Sequence, residues 1–187
     1  MTPNKTIDYY NENAESFYQR TVGLDLIEIY EKFLEQVPDR CTILDAGCGS
    51  GLTGIELKKR GYANIHGVDF SKSMLNLIPN NIYQTVELID LNEPLKYNDN
   101  DFDVIICVGT FTYGHVKAHA LDEFIRVTNK NGYICFTINE GIYTEYKFDK
   151  KINELSKNKS WEILNLSKSS YIVNKDVKAW LCLAKKN

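Results

Sequence analysis

The sequence is poorest in what a membrane or nucleic-acid protein needs. No apolar run approaches about 18 residues, so no bilayer-spanning helix is expected. The opening MTPNKTIDYYNENAE holds no apolar core, so no secretory leader is expected there. Positive charge is not in excess. The chain carries 22 Lys and Arg against 25 Asp and Glu, a net charge of -3, which argues against nucleic acid as a partner. Its one basic concentration, residues 147–159, reads as a solvated helix face. No two of the five cysteines stand at zinc-ligand spacing, and no metal site is expected. Cys107, Cys135 and Cys182 lie inside apolar runs and read as small buried hydrophobes, in keeping with a reducing, cytoplasmic compartment. No repeat or low-complexity stretch is present.

What remains is a globular composition. Of the 187 residues, 43% are hydrophobic and 25% charged, enough for one domain with a sizeable core. Two helical patterns come first, at 6–20 and at 24–37, the second ended by Pro38. Short apolar strands are then expected at 41–46, 64–69, 85–89, 102–108 and 133–138. Between them stand helical stretches at 52–60, from 71 to 79, and at 117–128, with a turn at Asn131-Gly132. A helix over 143–157 and two final strands at 161–166 and 177–184 complete the chain, the last two pairing antiparallel at one edge.

Strand and helix alternate through the middle, which predicts an α/β fold. The expected architecture is a doubly wound, Rossmann-like, mostly parallel seven-stranded sheet. It carries an antiparallel edge strand and an N-terminal helical lid. The expected domain is single, 1–187, with the lid at 1–38 and the Rossmann-like core at 39–187.

In such a sheet, ligands bind beyond the carboxyl ends of the strands. Gly47, Gly49 and Gly51 stand at alternate positions just after Asp45, where a tight turn lets a ligand approach the backbone. Asp69 closes the second strand, where a carboxylate takes both hydroxyls of a ribose. Together they predict an adenosine-bearing cofactor. Gly49, Gly51 and Gly54 also satisfy G-x-G-x-x-G, and Tyr143 and Lys147 have the Tyr-x-x-x-Lys spacing of short-chain dehydrogenases, so a nicotinamide-dependent oxidoreductase is an alternative. Against it stand the alternate-position glycines, an acid at Asp90 placed to accept from an adenine amino group, and the helical section before the first strand.

LDAGCGSG (44–51) resembles motif I of the class I S-adenosylmethionine-dependent methyltransferases. GVDFSKSML (67–75), LIDLNEPL (88–95), DFDVIICVGTFTYGHV (101–116) and LDEFIRVTNKNGYICFTI (121–138) follow in that family's order. Within the class, GTFTYGHV and NGYICFTINEGIY look most like the Williams–Beuren-region methyltransferase-like group. DYYNENAESFYQRT (8–21) resembles the lid pattern Tyr-Asp-x-x-Ala-x-x-Tyr. Tyr10 and Ala14 match it, Asn11 replaces the acid, Phe17 replaces the second tyrosine, and Tyr18 stands beside it.

The resemblance implies S-adenosylmethionine as cofactor and S-adenosylhomocysteine as product. It implies that Gly47, Gly49 and Gly51 line the methionine part, with Asp45 orienting the loop. Asp69 would hold the ribose, Phe70 and Met74 would flank the adenine, and Asp90 with the backbone of Leu91 would read its edge. Val108 and Gly109 would meet the methionine moiety, and Tyr10 and Tyr18 would close the lid. His115 is the candidate base, with Tyr113 and Thr110 placed to orient an acceptor. The Asn/Asp-Pro-Pro-aromatic signature of base amino-methyltransferases is absent, and VGTFTY stands there instead. A small-molecule acceptor is therefore expected, on a monomer or homodimer, with no membrane partner. A binding module that keeps the cofactor pocket without turnover is the remaining alternative.

Overall fold

The computed structural model describes residues 3–21, 27–172 and 177–187. The expected helix start at residue 24 and the side chain of Phe17 fall outside the described residues. Seven strands form one sheet: β1 (Ile43–Ala46), β2 (Ile65–Asp69), β3 (Thr85–Leu88), β4 (Phe102–Phe111), β5 (Thr128–Asn139), β6 (Trp161–Ile172) and β7 (Val177–Lys186). Their order is β3-β2-β1-β4-β5-β7-β6. The first five pair in parallel, and β7 runs antiparallel between β5 and β6. Strand order reverses between β1 and β4, which makes their carboxyl ends the switch point of the sheet.

Helices α1 (Pro3–Thr21), α2 (Ile27–Leu34), α3 (Leu52–Lys59), α4 (Lys72–Leu75), α5 (Ala120–Val127), α6 (Ile142–Glu145) and α7 (Phe148–Lys157) lie around the sheet. The apolar run of β4 is continuous because both of its faces are covered. Val104 and Ile106 pack with Tyr30 and Phe33 of α2 and Leu57 of α3. Ile105 and Cys107 face Phe124 of α5 and Phe148 of α7. All five cysteines are buried and unpaired. No described helix is long and apolar enough to cross a membrane.

Local signals set the element ends that shape the switch point. Gly61 (φ 94°) ends α3 with its N–H on Lys58 and that of Tyr62 on Leu57, a closure that needs a left-handed residue. Ser71 caps α4, its Oγ accepting from the Met74 N–H at 3.3 Å.

Two expectations change. Residues 143–157 form not one helix but α6 and α7, broken where Lys147 takes a left-handed φ of 61°. Asn131-Gly132 does not precede the fifth strand but lies within it, with Asn131 at φ 63° beside a register shift against β4.

Candidate functional site

The turn after β1 is built on left-handed backbone. Gly47, Gly49 and Gly51 have φ of 80°, 52° and 88°, which side-chain-bearing residues rarely adopt. The Gly47 and Cys48 N–H groups reach the Val68 carbonyl at 2.8 and 2.9 Å, tying the turn to the end of β2. A side chain on Gly47 would overlap Thr110, so this turn and the end of β4 are in direct contact. In front of Gly49, among the described residues, only the Met74 Cε lies within 4 Å of where a Cβ would stand, leaving room for a ligand.

Asp69 stands at the tip of β2, as expected. Its Oδ2 accepts the Gly49 N–H at 2.9 Å and its Oδ1 the Ser71 N–H at 2.8 Å. A carboxylate has about four acceptor positions, so capacity remains for a ligand hydroxyl. Burial raises the Asp69 carboxyl above its ordinary range, and the N–H groups of Ser71, Gly49 and Phe70 oppose that rise.

Asp45 lies deeper, at 1% exposure. Burial pushes it up to about 7. The Tyr83 hydroxyl opposes this by donating to Asp45 Oδ2 at 2.6 Å, and the nearby Asp69 adds to it. No basic side chain pairs with either acid among the described residues. Two acids under an open glycine turn favour a ligand that carries positive charge.

The remaining expected contacts surround this corner. Phe70, at 37% exposure, follows Asp69 directly, and Met74 is buried on α4 against Gly49. Asp90 Oδ1 is engaged by the Asn92 backbone N–H at 2.8 Å and its Nδ2 at 3.0 Å, which leaves Oδ2 for a ligand. The Leu91 side chain is buried in the core. Val108 and Gly109 are half-buried toward the end of β4, where Gly109 donates to Thr137 Oγ1 at 3.0 Å.

Helix α1 spans the opening between these parts. Asn11, standing where the lid pattern has an acid, accepts at 2.9 Å from Ser71 Oγ, the cap of α4. At the neighbouring position, the Tyr10 hydroxyl lies 3.4 Å from His115 Nε2, their rings edge-on at 5.2 Å. Ala14 is buried and Tyr18 half-buried on the same side of the helix. Burial lowers His115 to about 4, so its imidazole is neutral at physiological pH. Tyr113, 54% exposed, passes over Gly141 and meets Tyr146 edge-on at 6.1 Å. The Tyr146 hydroxyl in turn receives the Gly114 N–H at 3.1 Å, and Lys117 Nζ lies 3.6 Å over its ring.

The structure does not build the oxidoreductase alternative. Tyr143 stacks on Trp180 at 4.5 Å, and Lys147 sits at the break between α6 and α7, so the pair does not share one helical face. His66, on β2, bonds Thr85 of β3 and Asn64, and His119 bonds the Asn92 carbonyl. No cluster able to hold a metal occurs among the described residues. Sequence reasoning missed Tyr83. No periodicity or motif marks it, because its partners stand 38 and 29 residues away.

Residues 38–184 match the family described as a methyltransferase domain. Methyltransferase-like protein 27 of Homo sapiens is 32% identical over 130 residues, 68% of this chain and 52% of that protein. EEF1A lysine methyltransferase 2 of Danio rerio is 27% identical over 117 residues, 55% of this chain and 50% of that protein. Magnesium protoporphyrin IX methyltransferase (ChlM) from Synechocystis PCC 6803, solved with bound SAM, superposes with a TM-score of 0.71. The match covers 99% of this chain and 97% of that one at 14% identity, a likeness of fold. The chain spans about half the length of the curated relatives it matches.

Proposed function

The chain belongs to the methyltransferase-domain family, the class I S-adenosylmethionine-dependent methyltransferases, and on that premise we propose that it methylates a small-molecule acceptor held between α1 and the loop after β4. The narrower grouping with the Williams–Beuren-region methyltransferase-like proteins belongs to the same proposal and rests on residues 109–116 and 131–143.

When bound, S-adenosylmethionine supplies an electrophilic methyl on a cationic sulfur. The chain's own part is to hold, orient and keep dry. Asp69 would hold the ribose, Phe70 and Met74 would flank the adenine, and Asp90 with the Leu91 backbone would take its amino edge. The open face of the Gly47–Gly49–Gly51 turn, with Val108 and Gly109 opposite, would receive the aminoacyl end. The acids beneath suit the positive charge of that end.

The observation that carries the acceptor reading is the Tyr10–His115 contact, which joins α1 to the loop after β4 and, in this reading, roofs the space beside the glycine turn. A roofed space admits a small molecule more readily than a folded protein surface. His115 and Tyr113 line it as the proposed catalytic pair. A base held near 4 is weak, so His115 serves by accepting a hydrogen bond from an acceptor that is itself acidic or already nucleophilic. Tyr113 offers a hydroxyl donor and an apolar ring at the exposed rim.

The test is methyl-labelled S-adenosylmethionine offered with a panel of small oxygen, nitrogen and sulfur nucleophiles, and separately with lysine-bearing proteins. Label is expected in the small-molecule fraction, and His115→Ala is expected to lower turnover. Label confined to protein lysines would overturn the acceptor class. Cofactor binding with no transfer to any acceptor would leave a binding module and sink the catalytic part.

A further inference from the structure

Beneath the glycine turn, the ring of Tyr83 is wedged into a space that three glycines leave open. Tyr83 lies in the segment between α4 and β3. A side chain on Gly54 would overlap its ring and hydroxyl. A Cβ on Gly67 would stand 3.1 Å from its Cδ1, and one on Gly51 3.4 Å from its Cε2. The last glycine of the G-x-G-x-x-G pattern is thus explained by a tyrosine of the chain itself rather than by a ligand. The hydroxyl placed there joins two elements. It accepts the Gly54 N–H at 3.2 Å, in the first turn of α3, and donates to Asp45 Oδ2 at 2.6 Å.

We infer that Tyr83 is a positioning residue for the cofactor: it fixes the buried Asp45 carboxyl under the glycine turn and favours its ionised form, so that the turn favours the cationic form of the ligand. The inference rests on the cofactor reading above and not on the acceptor. Asp45 needs such a partner because its other ionisable neighbours are Asp69, Cys48 and Cys107, none of which brings positive charge. Burial works against the carboxylate, and the tyrosine hydroxyl is the side-chain donor that works for it. S-Adenosylmethionine carries an ammonium and a sulfonium against one carboxylate, whereas S-adenosylhomocysteine lacks the sulfonium charge. A carboxylate below the turn therefore discriminates between the two.

The test is calorimetric titration of both ligands into the parent and Tyr83→Phe between pH 6 and 9, with near-ultraviolet circular dichroism as the check on folding. Parent affinity for S-adenosylmethionine is expected to rise with pH as Asp45 ionises. At pH 7, Tyr83→Phe is expected to lose about tenfold, the scale of one hydrogen bond to a charged group. That loss is expected to shrink toward pH 9 and to be smaller for S-adenosylhomocysteine. Asp45→Asn is the second variant: its affinity is expected to lack the parent's rise with pH, with no further loss when Tyr83→Phe is added. Unchanged affinity, an equal loss at every pH and for both ligands, or full additivity of the two substitutions would overturn the assignment. A parent that binds neither ligand would overturn the cofactor reading itself.

Discussion

Asp69 has two tasks at one carboxylate. It receives the N–H groups of Gly49 and Ser71, and it is the proposed ribose holder. Its substitution therefore removes a ligand contact and loosens the turn together. Asp69→Ala is expected to weaken S-adenosylmethionine binding by about 1.5–3 kcal/mol, read by calorimetric titration. An unchanged dissociation constant would remove Asp69 from the ribose. Much at this scale was legible in the sequence. Glycines at alternate positions announce a left-handed turn, and Ser71 announces a cap, because both are properties of a few adjacent residues. Tyr83 was not legible, since its meaning depends on Gly54 and Asp45 meeting it in space.

Helix α1 is the element whose role depends most on what it touches. Asn11 on Ser71 and Tyr10 on His115 attach it to both walls of the opening, one wall from α4 and the other from the loop after β4. If it acts as a lid, binding of cofactor should stabilise the closed arrangement and slow amide exchange along residues 8–19. Hydrogen-exchange mass spectrometry with and without S-adenosylmethionine reads this directly, and equal exchange in the two states would leave α1 a fixed wall. The α6–α7 pair marks the limit of element-scale reading. A helical pattern is present on both sides of Lys147, and only its left-handed backbone breaks the run.

For the molecule as a whole, the buried acids tie stability to pH. The folded chain keeps a proton on Asp45 up to about pH 7, whereas an ordinary Asp releases it near 3.8. Between those values the native state binds more protons than the unfolded chain, so this group lowers stability as pH rises. The raised Asp69 acts with the same sign. His115 acts oppositely: its folded value near 4 lies below the ordinary 6.5, so its contribution improves as pH rises over that window. Asp45→Asn removes the first effect alone. Its melting temperature is expected to exceed the parent's by on the order of a few degrees at pH 8 and to match it near pH 4. Scanning calorimetry at the two pH values decides it, and an equal shift at both would show that Asp45 does not titrate as described. The same variant is expected to bind cofactor less well, which places the cost in stability at the site that needs the charge.

The amino-acid order alone determined the alternation of strand and helix, the glycine turn, the acid at the tip of β2 and the burial of β4 on both faces. Each is carried by periodicity or by neighbours within a few residues, where backbone sterics and local hydrogen bonds act. Tertiary structure alone decided that β7 enters between β5 and β6, that α1 reaches His115, and that Tyr83 holds Asp45. These depend on groups far apart in the chain, brought together when the two faces of one sheet are covered.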